Sequence, residues 1–258
     1  MLRPLLPVLL SASLCLFATV TPAAEIGVAS SGGFAAAFKT LASRYEAGAP
    51  NRGVRRIFGP SMGNTPEAVP ARLARGEEID VVIMVGEALD QLMARGLLEP
   101  GSKVLLAQSR IACAVPAGAS RPRLGSEDEV RQAFLQAPSV AWSDSASGEY
   151  IQKTLLARLG IESEVRAKGR QIPGTPVGEI VARREAMFGC QQRSELRPVA
   201  GIDIVGDLPD ALQKVTPFAA AVVRGSRHPQ DARAFIDFLA SPGSAPLIEA
   251  TGLAPAPH

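Results

Sequence analysis

Four short stretches of the sequence join hydroxyl or amide side chains to glycine or a following helix. Ser30, Ser31 and Gly32 end an apolar run that starts at Ile26, and Phe34 then begins a helical spacing. Ser61, Met62, Gly63 and Asn64 follow the run Val54 to Phe58, and Ser145, Ser147 and Gly148 follow Ser139 to Trp142. In each of these a strand breaks into a turn that opens a helix. Unpaired N–H groups at a helix start, with hydroxyls beside them, form a seat for an anion. Gln191, Gln192 and Ser194 follow the fourth run, Ala186 to Cys190, as a polar cluster. Their neutral donors suit a bound anion or an ordinary hinge.

Proton transfer needs a group that changes charge. Glu149 and Tyr150 begin the helix after Ser145 and are the acid/base candidates. Arg72 lies on the helix expected to open at Thr65 and Pro66, where its guanidinium fork could pair with a carboxylate. His228 and His258 stand apart from all four turns. No stretch has the spacing of a nucleophile elbow, a phosphate loop or a zinc-binding helix, so no metal site is expected. Cys113 and Cys190 each sit in an apolar run. The residues alone favour two buried thiols, and export would permit a disulfide whose pairing the sequence leaves open.

These turns need strands and helices to hold them. Phe34, Phe38, Leu41 and Tyr45 repeat at helical spacing, and Ile79 to Val85 reads as a central parallel strand. Val104 to Val115 contains two strand pieces around Gln108-Ser109-Arg110. A short edge strand is expected around Val165. From Pro198 the chain reads as a return crossing, with strands at 202–205 and 218–223 and a patterned helix from Pro229 to Leu239. The class is α/β.

Composition narrows the function. The chain has 258 residues, 47% apolar and 20% charged, and a formal charge of +2 with no basic run. Nucleic acid is therefore not an expected partner. Arg3, the apolar stretch Leu5 to Val20 and the small-residue exit Thr21-Pro22-Ala23-Ala24 read as a cleaved secretory signal. The stretch is shorter than the roughly 20 residues of a spanning helix.

On the Ser-Ser turn, the Arg72 to Val85 block, Ser145 to Tyr150 and the closing Phe238-Leu239-Ala240-Ser241-Pro242, the chain resembles the periplasmic solute-binding proteins. The likeness is to their two-lobed type II branch, nearest the molybdate-binding proteins. It implies a ligand cleft between lobes, a signal peptide at 1–24, one lobe from 25–107 with 199–258, and another at 108–198. It also implies a periplasmic monomer that binds a small anion. Where molybdate-binding relatives carry a Tyr in a Tyr-x-Thr-Asp segment, this sequence has Gln192. Ser30-Ser31-Gly32-Gly33-Phe34 with Gly59-Pro60-Ser61-Met62-Gly63 is similar to a branch that includes aconitate isomerase. That likeness implies a secreted, cofactor-free isomerase moving a proton across an unsaturated tricarboxylic acid, trans-aconitate to cis-aconitate. The other reading is a non-catalytic receptor that hands an oxyanion or organic acid to an ABC-type membrane transporter.

Overall fold

The computed structural model describes residues 24–48, 51–63 and 65–257. The expected signal peptide, apart from Ala24, and the candidate ligand residue Asn64 lie outside the described residues.

The first third builds strand–helix units. β1 (Ala24–Ser30) leads to α1 (Gly32–Ala47), β2 (Arg52–Phe58) to α2 (Val69–Ala74), and β3 (Val81–Val85) to α3 (Gly86–Ala94). Every residue of β3 is buried, as a strand covered on both faces requires. The Thr65 and Pro66 start expected for α2 is displaced. The helix begins three residues later, with Pro70 in its first turn, and 65–68 is a turn whose Ala68 N–H donates to Thr65 O.

β4 (Val104–Ser109) and β5 (Ile111–Pro116) are successive strands of different sheets. α4 (Glu127–Gln136) is capped by Ser126, whose Oγ accepts from Glu129 N–H. β6 (Val140–Ser143) runs into α5 (Ala146–Tyr150), which continues through a π-helical turn (Ile151–Leu155) into α6 (Leu156–Arg158). Val165 lies in α7 (Glu162–Arg166), so the expected edge strand is instead β7 (Gly169–Ile172). α8 (Val177–Ala182) and β8 (Phe188–Gln192) precede a single-turn helix, α9 (Arg193–Leu196). The Gln-Arg-Ser-Glu cluster therefore does open a helix. β9 (Ile202–Asp207), β10 (Thr216–Val222), α10 (Pro229–Leu239), α11 (Ala245–Glu249) and β11 (Ala254–Pro255) complete the chain.

The strands form two sheets. One has the order β11-β4-β10-β3-β1-β2, with β1 parallel to β2 and β3, and β10 inserted antiparallel between β3 and β4. The other has the order β7-β6-β8-β5-β9. A separate large buried cluster accompanies each sheet. Phe34, Phe38, Ile83 and Phe235 belong to the first, and Phe134, Trp142, Leu155 and Phe188 to the second. The molecule is thus two-lobed. The return crossing comes later than position 199, because β9 pairs with β5 in the second sheet and only β10 re-enters the first.

Cys113 and Cys190 face each other across β5 and β8 and form a disulfide, with Cα atoms 4.0 Å apart. The expected pair of free thiols is corrected by that register, which a reading of separate apolar runs does not supply.

Candidate functional site

A cleft of about 780 Å³ opens between the lobes. Ser31, Gly32, Ser61, Ser145, Gln191 and Gln192 line it, together with Thr65, Asp144, Thr175 and Glu195. α1 presents its first turn there because β1 ends at Ser30 and Ser31 takes the extended conformation of an N-cap. Its hydroxyl caps nothing. Ser31 is 3% exposed, yet its Oγ has no hydrogen-bond partner among the described residues. Thr65 Oγ1 and Gln192 Oε1 are unpartnered in the same way, and all three residues line the cleft. A buried polar atom without a partner carries a desolvation cost that a ligand would relieve.

Other lining groups are fixed. Ser61 Oγ accepts from Val85 N–H at 2.9 Å, which leaves its own proton to donate. Gln191 Oε1 accepts from Val177 N–H at 2.8 Å and so caps α8. Gln192 Nε2 donates to Thr216 Oγ1 at 2.8 Å. Lys39, at the rim over the Phe58 ring, is the one cationic side chain among the described lining residues.

Glu195 is the group that the sequence reading missed. Its carboxyl lies against Gly32 at the start of α1, and burial pushes it up from the ordinary 4.5 to about 8. The Gln191 amide pulls in the opposite direction, and the charge of Asp144 adds to the rise. An acid in the first turn after a strand is a legible signal. Here α9 is too short to show helical spacing, and the stretch reads as a loop.

Several expected site residues serve the scaffold instead. Ser30 is wholly buried and donates to Ser31 O. Met62 packs on the first core, and Gly63 sits outside the cleft lining with a left-handed φ of 100°. Ser147 Oγ lies 3.3 Å from Ser143 Oγ. Gly148 packs on the Ser143 backbone so closely that any Cβ would overlap it. Ser194 Oγ donates to Gly33 O at 2.7 Å, tying α9 of one lobe to α1 of the other. The two acid/base candidates are also elsewhere. Glu149 pairs with Lys153, and Tyr150 Oη donates to Leu212 O at 2.9 Å. Neither lines the cleft.

Arg72 is likewise absent from the lining. Its guanidinium pairs with Glu77 at 2.8 Å and donates to Glu67 O at 2.9 Å, and Arg72 with Arg75 holds the Glu77 carboxyl below its usual range. Arg72→Ala is expected to cost up to about 1 kcal/mol in denaturant unfolding, as a part-exposed pair does, and to leave ligand affinity within about twofold. A tenfold loss of affinity would return Arg72 to the site.

The raised carboxyl also sets a stability trend. Between about 4.5 and about 8 the folded chain keeps a proton on Glu195 that the unfolded chain has released. Stability contributed by this group therefore falls as pH rises across that window and levels off above it. Glu195→Gln cannot ionise, so its melting temperature should gain on the parent's from pH 5 to pH 8.5. A constant difference across that range would contradict the assignment.

Residues 26–254 match the bacterial extracellular solute-binding proteins. The chain belongs to that family. This solute-binding protein is 46% identical to an aconitate isomerase of a Pseudomonas species over 260 aligned positions, 98% of each chain. Its fold matches the periplasmic molybdate-binding protein of Azotobacter vinelandii with a TM-score of 0.73 at 20% identity, covering 91% of this chain and 100% of that one. It matches Peb3 of Campylobacter jejuni with a TM-score of 0.65 at 12% identity, covering 89% and 99%. These two likenesses concern the fold.

Proposed function

We propose that the protein is a periplasmic, cofactor-free isomerase that converts trans-aconitate to cis-aconitate, with Glu195 as the proton-transfer group. The observation that carries this reading is a raised carboxyl in a cleft of unpartnered hydroxyls. Support comes also from the relative at 46% identity that bears the name aconitate isomerase.

The chemistry is a 1,3-proton shift. A C–H bond of the substrate methylene breaks, its electron pair becomes the new C=C bond, and the old π pair forms a C–H bond at the former vinyl carbon. The carbon skeleton is unchanged, and only the geometry at the double bond differs. A carbon acid is weak, so the base must be strong. Ionised Glu195, with its pKa near 8, exceeds an ordinary glutamate in basicity by about three orders of magnitude, and about one site in ten is ionised at pH 7. Ser31, Ser61 and the first turn of α1 would hold substrate carboxylates and the charge that spreads into them during the shift. On this reading kcat/KM rises with pH through about 8.

The receptor reading draws on the family itself, whose description is that of extracellular binding proteins. A receptor for an anion needs closure around a ligand and a membrane transporter as partner, with no proton-transfer group. Proton NMR of the protein with trans-aconitate in deuterated water separates the two. The isomerase gives cis-aconitate at a rate proportional to protein concentration. Unchanged trans-aconitate, with saturable binding of the acid, gives the receptor.

A further inference from the structure

We propose that Gly32 is a positioning residue, whose missing side chain is the space that the Glu195 carboxyl occupies. The proposal rests on Glu195 as the proton-transfer group, and adds to it the reason that the carboxyl stands where it does.

Gly32 is the first residue of a 16-residue helix. Its φ is not among the left-handed ones, so its backbone asks nothing of glycine, and alanine would form the helix better. Space is the remaining reason. A Cβ built on Gly32 would overlap Glu195 Oε1, with Glu195 Cδ at 3.3 Å and Cγ at 3.8 Å, and its three nearest atoms all belong to that side chain. The adjacent Gly33 is different, since a Cβ there would run into the Phe218 ring of the core. One glycine serves packing, and the other makes room for an acid.

The helix that carries the acid is held in place. α9 is fastened by Ser194 Oγ to Gly33 O at 2.7 Å and by Arg193 Nη1 to Asp207 at 2.6 Å. The Gln191 amide oxygen is committed to Val177 N–H, so Gln191 meets the carboxyl with its N–H donors. A methyl group at position 32 therefore displaces the carboxyl itself, and the open direction is the cleft. There water stabilises the ionised form, and the reacting oxygen is out of line with a substrate seated on α1.

The test is kinetic, with Gly32→Ala, Glu195→Asp, the double variant and Glu195→Gln assayed on trans-aconitate from pH 6 to pH 9.5. Gly32→Ala is expected to fold as the parent does and to lower kcat by roughly 10–100-fold. Its pH–rate midpoint should move from near 8 to below about 7. Glu195→Asp withdraws the carboxyl by one methylene and makes room for the methyl group. The double variant should then exceed the product of the two single effects by about tenfold. Unchanged kcat and midpoint in Gly32→Ala, with Glu195→Gln inactive, would overturn the positioning role and spare the base. A raised KM with the midpoint unmoved would also overturn it, making Gly32 a ligand contact. Full activity in Glu195→Gln would remove the base, and this proposal with it.

Discussion

Glu195→Gln should bind trans-aconitate and fail to convert it. At pH 7 the native carboxyl is mostly protonated, so the amide copies its shape and its hydrogen bonding, and the dissociation constant should stay within about threefold. Removal of a general base lowers kcat by roughly 10²–10⁴-fold. Deuterium exchange at the substrate methylene should fall by the same factor, because exchange and isomerisation share the proton-removal step. Calorimetric titration reads the first quantity and NMR in deuterated water the other two. A variant that retains a tenth of the parent's kcat would assign the proton to another group, with Asp144 next in the cleft.

The second large effect concerns the disulfide. Cys113 and Cys190 join strands that also pair by backbone hydrogen bonds, and the bridge lies wholly within the second core. It closes a loop of 77 residues. Chain-entropy reasoning gives such a loop about 4 kcal/mol, through the unfolded state. The Cys113→Ser, Cys190→Ser double variant should therefore melt roughly 8–16 °C below the parent in a calorimetric scan. Because Gln191 follows Cys190 directly, the KM measured well below that temperature reads whether β8 keeps its place. A melting point within about 2 °C of the parent's would mean that the backbone ladder alone sets the stability there.

What the sequence disclosed, and what it concealed, follows the range of the interactions involved. Ser31 and Gly32 were legible because strand, turn and helix are contiguous, and α10 because Ala232, Phe235, Ile236 and Leu239 recur at helical spacing and are all buried. The disulfide was not legible, since it depends on the register between β5 and β8. Arg72 carries a fork suited to carboxylates, and it spends that fork on Glu77, five residues away. Thr65 had the sequence of a cap, and its hydroxyl is unpartnered in the cleft. Glu195 has its carboxyl against Gly32, more than 160 positions earlier, and no window along the chain contains both.

The strand order bears on assembly as the chain emerges. All five strands of the second sheet lie between residues 111 and 207, an unbroken stretch that also contains both bridged cysteines. The first sheet has β10 in its interior, so β4 has no link to β3 until residues 216–222 arrive. The middle of the chain can therefore form its sheet and close its bridge while the amino-terminal strands wait for a partner from near the other end. Long-range pairing of that kind is slow. A truncation before residue 216 would leave β3 with one side unpaired, so the end of the chain acts as a checkpoint on the integrity of its first third.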